Sequence, residues 1–396
     1  MVRQVAGSSN YCALVKEGLD NVPWLKRESP IKGKSIEKCI SCFEKHRKLR
    51  CGCTLPASDL LILASAYYQY YILTINDFQS SVDQVEESIE NKQGHYLIPS
   101  LVNEFRETKI LAPLKNCLRV LVEALVPGFN PKIKLLETIK VPEIIKCCFY
   151  IFSCHRIGKY QILCADLLVK YHQSCKDLEV TDAYLELHLL MGYHFYIQSY
   201  LDLGLFDRAQ KKFQQAKVFY EKIRGTRSLK DHVEFFWLRI DELELALRSN
   251  KQELVDLGLR DLEILVKSPP LEQRRATRIC LKLRVYFLLS QLPSSFTFFK
   301  KFEEFIDSHS LILTCLSTWH KSLWSSKPVC EHEKDQRSVS MSSLEENSVR
   351  YSIYDLSLRA FQSIRQFHID VGSGSELQTT FKVLLAISRE NCFLQW

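Results

Sequence analysis

The chain has 396 residues, 46% hydrophobic and 25% charged, a balance that supports buried cores and excludes wholesale disorder. Glycine (13) and proline (12) are too scarce for the many turns of a β-sandwich or barrel, so long helices are expected. A net charge of +7 falls short of a dedicated nucleic-acid binder, and 15 cysteines, an odd number, read as free thiols of a reduced compartment.

In chain order, residues 1–34 lack a helical pattern and are expected to be a poorly ordered N-terminus. The opening Met1–Gly7 leads into polar residues, not into the apolar run of a secretory leader. An N-terminal helical region is expected over 35–126, in segments of about 36–49, 57–74, 77–91, 97–107 and 111–126. Its longest uncharged run, Leu60–Asn76, contains Ser65, Gln69 and four tyrosines, which suits a buried core helix and not a membrane span. Pro127, Gly128 and Pro131 then make a firm break.

From 132 to 325 the helices are expected to pair into hairpins. Their turns fall near Gly158, Gly204, Asn250 and Pro293, at separations of 46, 46 and 43 residues. A fixed period of that size marks a stacked solenoid, in which each hairpin covers its neighbour's apolar face. Pro142 suits a first helical turn. Ser228–Asp231 and Asn250–Glu253 resemble capping boxes, and Ser268-Pro269-Pro270 separates two helices. Residues 326–347 are polar and unpatterned, a mobile loop whose Ser338, Ser340, Ser342 and Ser343 are candidate phosphorylation sites. C-terminal helices follow over 348–396, hinged at Gly372–Ser375.

One hairpin is more specific than the rest. Tyr193, Tyr196, Tyr200, Gly204, Phe206, Ala209, Phe213 and Ala216 together resemble a tetratricopeptide (TPR) repeat, with a weaker copy at Arg156–Tyr160. Glu221 stands where the family usually closes the repeat with proline, and the spacing of about 46 exceeds the family's 34 or so. The resemblance implies an all-α fold, a TPR-like α-solenoid: a superhelix of antiparallel helix hairpins with lengthened helices. It also implies a concave groove lined by the first helix of each hairpin. The groove positions are Met191, His194, Gln198 and Leu201, beside Asp202. A shift of 46 residues adds Phe152, with Ile145 and Cys148, on one side and Trp237 and Ile240, with Glu244, on the other. Such a groove suits an extended apolar segment or an amphipathic helix. In a superhelix with longer helices the same residues serve equally well as core. The Lys and Asn pair of carboxylate-clamping repeats is replaced here by His194 and Gln198.

Three further groupings carry alternatives. Cys39, Cys42, Cys51 and Cys53 supply four thiols, enough for a tetrahedral zinc site, yet Ile36, Cys39, Ile40 and Phe43 also trace one apolar helix face. Lys45–Arg50 is a compact basic run, readable as a nuclear import signal or as a solvated helix face. Arg274, Arg278 and Lys282 share a helix face at i, i+4, i+8. They support a second reading, a nucleic-acid-binding α-solenoid. Nucleophile-elbow, phosphate-loop, dinucleotide and zinc-protease motifs are absent. The expected function is therefore a non-catalytic scaffold or adaptor for other proteins, without cofactor or membrane span. It would be a subunit of a larger intracellular complex in the nucleus or cytoplasm, and fold-level analogy points to cell-cycle or chromosome-associated assemblies.

Overall fold

The computed structural model describes residues 13–22, 33–48, 55–90, 111–125, 139–154, 157–177, 185–223 and 234–249. These residues form α-helices and the turns at their ends, with no strand among them. The chain divides into two compact units, with the boundary between Ile144 and Ile145.

The first unit contains α1 (Ala13–Asp20), α2 (Gly33–Lys48), α3 (Ala57–Glu90) and α4 (Ala112–Ala124). Helix α1 lies inside the 1–34 stretch expected to be poorly ordered. Eight residues are too few for a stable isolated helix. Packing supplies what propensity lacks: Val15 and Gly18 are buried, and Gly18 lies against the Phe43 ring of α2. At the exposed rim Lys38 pairs with Glu17 at 2.9 Å.

Helix α2 buries Ile36, Cys39 and Phe43, three members of the apolar face read from the sequence. Helix α3 joins two expected segments into one helix of 34 residues, and no glycine or proline interrupts it. Every residue from Leu60 to Tyr68 is buried, as is Tyr71, so the start of α3 is enclosed on all sides. Pro113 occupies the first turn of α4, which buries Leu114, Cys117, Leu118 and Leu121. Glu44 joins three of these helices: it accepts hydrogen bonds from Tyr67 Oη and Arg47 Nη1, both at 2.8 Å, and lies 3.5 Å from Arg119. Arg47 also grips Glu123 through Nη2 at 2.6 and 2.7 Å. The basic run is thus divided: Lys45 and Lys48 face solvent, Arg47 is tied into this network, and His46 is buried.

The second unit holds α5 (Val141–Cys154) from Ile145 on, α6 (Gly158–Asp177), α7 (Leu185–Asp202), α8 (Phe206–Ile223) and α9 (Glu234–Arg248). Pro142 stands in the first turn of α5 as expected. Helix α7 packs against α6, α8 and α9, and most of its residues are buried. Phe149 of α5 stacks on Phe195 of α7 with centroids 3.6 Å apart. Gly192 allows α6 to approach, since a Cβ there would lie 3.3 Å from the Leu168 Cβ. Gly204 adopts φ 71°, the left-handed turn expected between α7 and α8. Ala209, Phe213 and Ala216 then seat α8 on α7.

The other sequence expectations lie outside the described residues. These are the 97–107 segment, the 127–131 break, the turns near Asn250 and Pro293, both capping boxes, the 326–347 loop and the 348–396 helices. No helix among the described residues is long and apolar enough to cross a membrane.

Candidate functional site

Phe152, Met191, His194, Gln198, Leu201, Trp237 and Ile240, the expected groove residues, are all buried. The face of α7 that the resemblance assigns to a groove is occupied by α9. On α7, His194 and Gln198 are one turn apart and point the same way. On α9, Trp237, Asp241, Glu244 and Arg248 recur at i, i+4, i+7 and i+11, again one face. Where the two faces meet, His194 Nδ1 lies 2.9 Å from both carboxylate oxygens of Asp241. Gln198 Nε2 donates to Asp241 Oδ1 at 2.8 Å and to Glu244 Oε2 at 3.1 Å. The Trp237 ring lies 5.2 Å from the His194 ring.

Burial raises the Asp241 carboxyl above its ordinary range, while His194 and Gln198 pull it back down. The cluster is a polar seam inside an apolar interface. It fixes the register of α7 against α9, because any slip would strand a carboxylate and an imidazole without partners. An acid–base pair is present, but the two groups face each other and are enclosed. Sequence reasoning found His194, Gln198 and Glu244 and missed Asp241. The signal was available, since Asp241 stands 47 residues from His194, within one residue of the repeat spacing.

The seam reaches the surface at its C-terminal end. Arg248 approaches Glu244 at 4.0 Å and lies 5.9 Å from the ring centroid of Phe206. Phe206 begins α8 and is 44% exposed. Leu203 and Leu205 in the same turn are 48% and 39% exposed, and Val218, further along α8, is 73% exposed. Leu203 also covers Gly158 at the start of α6, so this turn rests on the neighbouring hairpin. The result is an exposed apolar tip on a packed helical base. Of the residues that carry the TPR resemblance, Phe206 faces solvent, whereas Ala209, Phe213 and Ala216 are interior.

Two of the four candidate zinc thiols, Cys39 and Cys42, are buried on α2; Cys51 and Cys53 lie outside the described residues. Burial pushes the Cys39 thiol up to about 12 and also raises Cys42, which favours the protonated thiol at both. No group of three His, Cys, Asp or Glu side chains among the described residues is placed to hold a metal. Arg274, Arg278 and Lys282 lie outside the described residues. No family model, curated protein or solved structure matches the chain.

Proposed function

We propose that this chain is a non-catalytic scaffold or adaptor, a TPR-like α-solenoid that binds other proteins as a subunit of a larger nuclear or cytoplasmic complex. The observation that carries the reading is the exposed apolar tip of Leu203, Leu205 and Phe206. A solvent-facing turn is ordinarily polar, and clustered apolar exposure ordinarily marks an interaction site. The firm base beneath it favours a preformed surface, which reduces the entropy cost of binding. Helix α7, packed by its hairpin partner α8 and by α9, fits the nearest-neighbour stacking of a solenoid.

The test is purification of the tagged full chain from cells, with size-exclusion chromatography and mass spectrometry. Co-elution with another protein in fixed stoichiometry, lost in a folded Leu205→Asp/Phe206→Asp variant, is the expected result. Elution as a monomer of about the chain mass of 46.2 kDa overturns the proposal.

A further inference from the structure

The chemistry of the partner can be read from the charge on α8. This helix carries Arg208, Lys211, Lys212, Lys217 and Lys222 against two acids, Asp207 and Glu221. Two of the cations are engaged within the unit: Lys212 lies 4.2 Å over the Tyr196 ring, and Lys217 pairs with Glu242 at 3.3 Å. Among the described residues, Arg208, Lys211 and Lys222 form no ion pair or ring contact. Helical spacing puts Asp207, Lys211, Gln214, Val218 and Lys222 on the pole opposite buried Ala209, Phe213 and Ala216. Val218, the most exposed large apolar residue described, therefore stands between two unpaired lysines. Asp207, one turn before Lys211, and Glu221, next to Lys222, offset part of this charge, and the helix as a whole keeps an excess of cations.

We propose that this face of α8, together with the apolar turn at its start, binds an acidic amphipathic segment of another protein. The segment's apolar residues seat at Leu203, Leu205, Phe206 and Val218, and its carboxylates meet Lys211 and Lys222. This rests on the protein-binding reading above and adds the sign and spacing of the ligand. At 1.5 Å per residue, Lys211 and Lys222 are about 16 Å apart along the axis and Phe206 is about 24 Å from Lys222. A partner helix of four to five turns matches that span, with acids about three turns apart and aliphatic or aromatic residues at one end. Three of the four apolar contacts are aliphatic, which suits a protein ligand better than the stacked bases of a nucleic acid.

Fluorescence anisotropy with the full chain tests this, using three labelled helical peptides of about 18 residues. The first has Leu and Phe at one end and Glu residues at the stated spacing, the second replaces Glu with Gln, and the third replaces Glu with Lys. The acidic peptide is expected to bind at least tenfold tighter than the Gln peptide, with affinity falling as salt rises. Lys211→Glu/Lys222→Glu should abolish that preference and transfer it to the Lys peptide. Leu205→Ser/Phe206→Ser should weaken all three. Acidic and Gln peptides binding within twofold of each other overturns the inference, as does a preference that survives the charge reversal. Chain that floats with phosphatidylserine vesicles while ignoring every peptide also overturns it, in favour of a membrane surface. A cellular complex that is lost in Leu205→Asp/Phe206→Asp but intact in the charge-reversed chain overturns this inference alone and leaves the scaffold reading standing.

Discussion

At the scale of single residues, two positions separate backbone and charge effects from packing. Gly204 holds φ 71°, and a Cβ built there meets nothing within 4 Å. Alanine at 204 therefore brings no collision, only the cost of left-handed backbone, about 1 kcal/mol. Gly204→Ala should lose that much in urea unfolding, and Gly204→Asn, which tolerates this region better, should lose less. Equal midpoints for all three chains would contradict the turn geometry. Asp59 tests charge. It is buried in the first turn of α3, its Oδ2 has no hydrogen-bond partner, and burial pushes its carboxyl up to about 6 from 3.8. Because the folded value is the higher one, the folded chain holds this proton more tightly. The group's contribution to stability is complete below pH 3.8 and is lost as pH rises through 6. Asp59→Asn should melt higher than the parent at pH 7.5, by about 1–2 kcal/mol, and the advantage should vanish near pH 4.

At the scale of elements, helices were legible wherever apolar periodicity was strong. The apolar face of α2, the Pro142 start of α5 and the left-handed exit at Gly204 all follow from local chemistry. Helix α1 was not legible, because eight residues take their stability from Phe43 and its surroundings and not from their own propensity. The two expected segments left a gap only at 75 and 76, and neither residue there breaks a helix as glycine or proline would, so α3 runs through. For the candidate site, the repeat spacing pairs Gln198 with Glu244, which do meet, and His194 with Ile240, where the structure has Asp241 instead. It could not distinguish two helices that share a groove from two that touch, since both give aligned faces. Contact is what the structure has, and it makes a prediction. Asp241→Ala leaves His194 and Gln198 buried and short of a partner, a loss of about 3 kcal/mol. His194→Phe/Asp241→Leu removes both ends of the pair and should be less destabilised than the single change predicts. Hydrogen exchange should locate the loss in α7 and α9. Additive losses in the double variant would remove the seam as a coupled unit.

At the scale of the whole molecule, stability and the proposed recognition fall on different surfaces of the second unit. Interior α7 residues are enclosed by other helices, so their substitution strikes the fold. Leu205, Phe206 and Val218 do the reverse: each leaves a large part of its surface in water, at 39%, 44% and 73% exposure. Only the covered part of each side chain contributes to folding, so the exposed part of these apolar groups, largest at Val218, has little reason to be present in the isolated chain. The triple change Leu205→Ser/Phe206→Ser/Val218→Ser should therefore cost little at Val218 and about 1 kcal/mol at each of the half-buried Leu205 and Phe206, well short of a core substitution. The same variant should elute earlier from a hydrophobic-interaction column, because it removes most of the exposed large apolar groups that the described residues present. A large stability loss would mean that the tip is part of the core. An unchanged retention time would mean that it is covered in solution. Either result would remove the surface on which the proposed partner binding depends, whereas a stable, less retained variant leaves that proposal standing.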